Sequence, residues 1–274
     1  MTVRTLVAPA PSLRLAGGMQ LKCEAINPTT LAMSGGTLQG TDTVTVSGLT
    51  TWTGGTMTGA GTTNANGGMS ISGVSGKTLT ASRILNTAGT ATWTGTGSIG
   101  VGTGAVINNS GTWDCQSDAS ITNIFGGTAT FNNLASGTFK KSAGTGTTGV
   151  GITFNNSGSV NVLSGTVNLS GGGTSSGSFT GSAGTTLQFS ASYTLGASSI
   201  ITADAVVFSA GTVGISGAYT ANATTINGGI ASFDSPSPDL TTTLTLSSGT
   251  LQGTGTLNVS GLTTWTGGTM TGAG

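Results

Sequence analysis

An asparagine recurs along the middle of this chain at nearly constant spacing. It is Asn86 in ILNTAGTATW, Asn108-Asn109 in VINNSGTW, Asn132-Asn133 in TFNNLASGTF and Asn155-Asn156 in TFNNSGSV. Each follows an aliphatic or aromatic residue. Each precedes, after a small residue or two, a short run such as GTWDC, GTFKK or GSVNV. A return roughly every 22–24 residues means one supersecondary unit stacked on copies of itself, because a single unit cannot bury its own apolar face.

The unit is made of strands. TLQGTDTVTVSGLTTW, GTVNLSGGG, TTLQFS, AVVFSAGTVGIS and TTTLTLSSGTLQG alternate apolar residues with Thr, Ser or Asn, the period-2 mark of a half-buried strand. Glycine, Ser-Gly and Asn-Gly punctuate every run, as turns require. Helix formers are scarce, with one glutamate (Glu24) in the whole chain, so almost no helix is expected. The 50 Gly and 55 Thr suit this architecture, since threonine favours strands and stacks without repulsion. Collagen would need Gly at every third position, and disorder would go with high net charge. A propeller blade needs about 40 residues.

The expected fold is therefore all-β, a right-handed parallel β-helix (β-solenoid) of roughly 22–25 residues per coil. Its inward stack is expected to include Val44, Val46, Trp52, Leu79, Ile84, Val106, Ile107, Phe131, Phe139, Phe154, Val160, Val162, Val167, Leu169, Phe179, Leu187, Phe189, Val206 and Phe208. The recurring asparagines are expected to stack at turns, amide to amide.

A longer repeat overlies the short one. The stretch 247–274 (SSGTLQGTGTLNVSGLTTWTGGTMTGAG) matches the stretch 34–61 (SGGTLQGTDTVTVSGLTTWTGGTMTGAG) at 24 of 28 positions. About nine coils would fill the long unit so defined. The domain reading is an irregular N-terminal segment with a degenerate first coil, 1–33, then a β-helix over 34–274. That β-helix holds one long unit, 34–246, and the start of a second. Arg4, Arg14, Pro9 and Pro11 fit no coil.

WTGTGSI, VINNSGTW, FNNSGSVNVLSGTVNLSGGGTSSGSF and LTTWTGGTMTGAGTTNANGGMSISG resemble the repetitive segments of large bacterial surface and secreted proteins, the filamentous-haemagglutinin-like and autotransporter-like families. The resemblance covers about 34–274. It implies a right-handed parallel β-helix, export, and a role in adhesion or an extracellular matrix. No signal peptide, export domain or anchoring module is visible in the sequence.

Chemistry is sparse. The chain has no His and few charges, seven of each sign, so Ser-His-Asp and Cys-His arrangements are impossible. Paired carboxylates among Glu24, Asp42, Asp114, Asp118, Asp204, Asp234 and Asp239 are the remaining route to an enzyme of polysaccharide-cleaving type. Solvated or turn carboxylates are the simpler reading, and Asp234–Asp239 (DSPSPD) reads as a rigid loop. The chain is accordingly expected not to be an enzyme, with no cofactor and no metal. It lacks the aspartate-bearing calcium nonapeptide and any GK[ST] phosphate loop. Lys140-Lys141 is the only basic pair, too little for nucleic acid. Cys23 and Cys115 form no CxxC. No apolar run is long enough to span a membrane as a helix.

The function expected is structural: a stiff rod in a bacterial surface fibre, sheath or matrix, extracellular or at the cell surface. It would stack end to end with itself or with neighbouring repeats of a longer chain. Leu257, Val259, Leu262 and Trp265 are the end-stacking candidates. The alternative is an adhesin stalk or glycan-binding module, with Trp93, Trp113 and Asp114 as side-facing candidates if the indoles point outward; inward packing is the favoured orientation. Ordered outward threonine rows leave ice binding as a lesser reading.

Overall fold

The computed structural model describes residues 3–4, 12–22 and 25–274. Among them there are strands, turns and bends and no helix. The chain falls into two compact units, 1–139 and 140–274.

In the first unit the turns of chain lay short strands on three parallel ladders, the first ladder being entered by an isolated bridge from Ile26 to Val44. One ladder runs through Thr43–Val46, Thr62–Ala65, Ile84–Thr87, Val106–Asn109 and Thr130–Asn133. A second runs through Ser12–Leu15, 30–33, 50–52, Met69–Ile71, Thr90–Trp93 and Thr112–Cys115. The third takes Gln20–Lys22, 37–39, 55–57, Lys77–Leu79, Ile99–Val101 and Ile121–Asn123. Ser12–Leu15 thus belongs to a ladder, although the sequence places Arg14 in no coil. Cys23 and Glu24, and the side chain of Arg4 with Pro9 and Pro11, lie outside the described residues.

The second unit repeats the scheme. Its ladders start at Thr147–Gly151, Thr153–Asn156 and Ser159–Val162. They end at Thr263–Trp265, Thr269–Met270 and Leu257–Val259. Both units are therefore parallel β-solenoid, with about 13 turns in all.

Turn length varies more than the asparagines suggest. Where they mark the ladder, the register runs Thr63, Leu85, Ile107, Phe131. Val44, however, already pairs with Thr63, a shorter step. In the second unit Val167 pairs with Leu187, and Val206 with Thr224, short steps again. The expected coil of roughly 22–25 residues thus holds only where corner loops are long. Late in the second unit the strand runs through its corners without a loop, as in Ala218–Phe233 and Asp239–Gly253. Shorter coils also raise the number of turns above the sequence expectation.

Strict alternation fills the interior. Every expected core residue is buried except Ile84 and Val106, which are half-exposed. Each neighbours a buried residue, Leu85 or Ile107, and adjacent strand residues point to opposite faces. The aromatic rings meet edge to face: Trp93–Trp113 at 6.4 Å, Trp113–Phe131 at 5.2 Å and Phe131–Phe139 at 5.5 Å. In the second unit Phe189 stacks on Phe208 at 5.8 Å, and Tyr219 meets Phe233 at 5.1 Å.

The asparagine stack is double. On the outer side each carboxamide donates to the previous turn: Asn64 Nδ2 to Thr45 Oγ1 at 3.2 Å, Asn86 to Asn64 at 2.8 Å, Asn108 to Asn86 at 2.9 Å and Asn132 to Asn108 at 2.9 Å. One residue on, a buried stack forms. Thr87 Oγ1 donates to Asn109 Oδ1 at 3.1 Å, and Asn109 Nδ2 to Asn133 Oδ1 at 2.8 Å. Buried carboxamides keep a partner this way, which is what makes their burial tolerable.

Candidate functional site

The match between the two copies is structural as well. Glycines at positive φ fall at 36, 40, 55 and 59 in the first copy (70°, 125°, 91°, 79°) and at 249, 253, 268 and 272 in the second (79°, 139°, 81°, 112°). Side chains rarely adopt this backbone region, so the same corners are set by the same glycines.

What differs is the cover. In the first copy the inward residues Val44, Val46, Thr50, Trp52 and Met57 are all fully buried. The turn spanning 62–79 lies on them: Thr63 on Val44, Ala65 on Val46, Met69 on Thr50, Ile71 on Trp52 and Leu79 on Met57. Their counterparts are Leu257, Val259, Thr263, Trp265 and Met270. Leu257 and Val259 are half-exposed, Thr263 is exposed, and Trp265 is 57% and Met270 36% exposed. Leu262 is 70% exposed, but its twin Leu49 is 48% exposed even where a turn follows. Leu262 is thus an outward corner residue, and its exposure does not depend on cover.

A recess of about 340 Å³ opens beside this edge, lined by Phe233, Leu251, Leu257 and Met270 among others. Among the described residues near the start of the first unit, inward Leu13, Leu15, Leu21 and Ile26 are each no more than 9% exposed, whereas Met19 is 40% exposed. Leu257, Val259 and Trp265 therefore come together on one uncovered edge. Thr263 and Met270 join them; aligning the two copies against Thr50 and Met57 would have found both.

The side-facing candidates do not form a site. Trp93 and Trp113 are fully buried and Asp114 is 5% exposed. Neither indole can offer a ring to a sugar, and Asp114 accepts a hydrogen bond from Gln116 Nε2 at 2.9 Å. Register decides their direction, since Trp93 pairs with inward Ile71. Outward threonine rows are short: Thr37, Thr56 and Thr78 lie in register, but the next position is Gly100, with the Ile124 side chain over it.

Several charges are interior. Lys77 is buried with its Nζ 3.0 Å from Ser75 O and 3.5 Å from the carbonyls of Gly73 and Gly97; desolvation lowers its pKa. Arg83 donates to Thr63 Oγ1 at 2.7 Å and Lys141 to Ala143 O at 3.1 Å. These cations hold carbonyls and hydroxyls inside the solenoid, so Lys140-Lys141 is not a surface basic pair. Among the described residues no cluster of His, Cys, Asp or Glu could hold a metal ion, and no helix is long and apolar enough to cross a membrane.

Asp239 opens the strand beneath the uncovered edge and pairs with Leu257. It is buried, accepts from Tyr219 N at 3.0 Å, and leaves its second carboxylate oxygen without a partner. Desolvation pushes its pKa up to about 6, against the Tyr219 N–H bond that lowers it. Tyr219, the titratable group facing it, is itself held protonated by burial. The folded chain then binds a proton that the unfolded chain releases near 3.8. Its stabilising contribution is complete below that value and is lost as pH rises through about 6. Asp204 and Asp234 are shifted the other way by their hydrogen bonds, and there is no His in the chain to titrate near neutrality. Melting temperature should fall as pH rises from about 4.5 to 7.5, and Asp239→Asn should flatten that slope. An unchanged slope in the variant would exclude Asp239 as its source.

The fold places the chain among parallel β-solenoid proteins. No protein-family model, no curated protein and no solved structure matches it.

Proposed function

We propose that the protein is a structural, extracellular β-solenoid of a bacterial surface fibre, sheath or matrix, and that the edge at 257–270 docks a further solenoid turn from a second copy or a neighbouring repeat. One observation carries this reading. The chain carries one inward residue pattern twice, and at its first occurrence, Val44–Met57, a stacked turn of the same solenoid buries it fully. An open ladder edge with unpaired N–H and C=O groups is a template for another strand. Its apolar side chains add the usual gain of about 25 cal/mol per Å² on burial.

The sides support the same reading. They carry threonine, serine and asparagine, while Lys77, Arg83 and Lys141 are turned inward. Export and the kinship with filamentous-haemagglutinin-like proteins belong to this proposal and rest on sequence resemblance. The glycan-binding alternative loses its side-facing indoles; the exposed indole is Trp265, on the open edge. Sedimentation velocity over a range of concentrations tests the reading. Species that lengthen with concentration support it, and a sedimentation coefficient that stays constant contradicts it.

A further inference from the structure

We propose that Asn66 is a self-modifying site, at which the folded chain turns its own asparagine into aspartate and isoaspartate without an enzyme. The site lies in the first unit, at the corner that follows Thr62–Ala65, and is independent of end-to-end docking.

Asn-Gly occurs twice in the chain, at Asn66-Gly67 and Asn227-Gly228. Glycine has no side chain to shield its amide nitrogen, so this pair closes on itself more readily than any other asparagine pair. Register puts Ser47-Gly48, Asn66-Gly67, Ala88-Gly89 and Ser110-Gly111 in one column, each just after a ladder strand. The glycine is compulsory at 67: a side chain there would run into Ser47 O and would meet Gly48 Cα at 2.5 Å. Packing thus fixes the half of the pair that makes the other half reactive. The neighbouring turns carry Ser or Ala at the asparagine's place, so the corner does not demand a carboxamide.

The nucleophile is free. Gly48 N donates to Thr29 O at 2.7 Å and Gly111 N to Thr87 O at 3.3 Å. Among the described residues neither Gly67 N–H nor the carboxamide and carbonyl of Asn66 has a hydrogen-bond partner. Both residues are exposed. Hydroxide takes the Gly67 amide proton, the nitrogen attacks Asn66 Cγ, a C–N bond forms, and Nδ2 leaves as ammonia. Water then opens the succinimide ring. Attack at Cγ restores the ordinary backbone with a carboxylate side chain. Attack at the main-chain carbonyl carbon breaks its bond to Gly67 N and routes the chain through Cγ. No oxidant, reductant or cofactor enters.

Asn227 is held differently. It lies within the strand Ala218–Phe233, and although the register shifts on either side, its own rung pairs with Ser248. Ser248 Oγ donates to the Asn227 carbonyl at 2.6 Å. Ring closure rotates the asparagine Cα–C bond and swings that carbonyl, so Asn227 reacts only when its rung opens.

The test incubates the folded full chain in mildly alkaline buffer and maps its peptides by mass spectrometry over time, beside a sample kept in denaturant. In the folded chain Asn66 should convert faster than Asn227 by roughly tenfold, the effect of an opening step. In denaturant the gap should close, since both asparagines sit in Asn-Gly-Gly. Asn66→Ser repeats the Ser-Gly of 47–48 and 110–111, so it should keep the melting temperature and remove the early acidic band in isoelectric focusing. If Asn66 stays intact in the folded chain, or Asn227 keeps pace with it, the corner does not drive the reaction and the inference fails. A gap that persists in denaturant would be a sequence effect and would overturn it too, as would an early acidic band that survives in Asn66→Ser.

Discussion

Trp113→Ala should destabilise the first unit by about 3–5 kcal/mol, the usual cost of emptying a large buried aromatic site. Trp113 is fully buried between Trp93 and Phe131, at 6.4 and 5.2 Å. Truncation breaks the ring chain in the middle, and the pairing of its neighbours to turns above and below limits collapse into the space. Hydrogen bonding is not what this indole contributes, since its Nε1 has no acceptor, and the same holds for Trp52 and Trp93. Trp113→Phe, which removes the orphaned N–H and keeps a ring, should therefore cost far less than the alanine. Denaturant titration followed by circular dichroism separates the two. An alanine variant within about 0.5 kcal/mol of the parent would match a surface change and would contradict an inward Trp113.

Val259→Lys should abolish assembly and leave the melting temperature almost unmoved. Val259 pairs with Thr241, is the counterpart of inward Val46 and is half-exposed. A lysine there can bend its ammonium into solvent along its aliphatic stem. Docking a further turn would bury that charge without a counter-ion, at a cost of several kcal/mol. The twin substitution, Val46→Lys, meets the opposite situation: Val46 is fully buried under Ala65, and the change should unfold the turns around it. Light scattering and thermal melts on both variants provide the contrast. Assembly unimpaired in Val259→Lys would show that the edge does not dock, and a comparable loss of melting temperature in both would show that it is not open.

Much of this was legible in the sequence because solenoid physics is local. A period of 2 sets the inward rows, and the asparagine spacing sets the turn wherever asparagines are present. Alternation alone does not place Ile84 and Val106, where two adjacent apolar residues compete for one inward position and only register chooses. Turn length is not legible either, since the second unit shortens its corners without marking them by asparagine. Trp93 and Trp113 sit in Thr-Trp-Thr and Thr-Trp-Asp, patterns that put the indole opposite its neighbours without saying which face is wet. The interior cations were illegible for a different reason. Lys77 and Arg83 are buried by the corners that wrap them, and their partners are carbonyls and a threonine hydroxyl, which carry no sequence signature.

The open edge was legible in part. Leu257, Val259 and Trp265 follow from alternation, whereas Thr263 and Met270 emerge only when the two copies are laid side by side. Asp239 reads as the end of a Pro-rich loop. Its burial follows from pairing with Leu257 and from Thr256 O accepting its N–H at 2.8 Å.

Electron microscopy of the purified chain across a concentration series shows whether the solenoid docks end to end. Unbranched filaments one solenoid wide, which lengthen with concentration and vanish in Val259→Lys, are expected. Particles of constant length at every concentration would contradict end-to-end docking at 257–270.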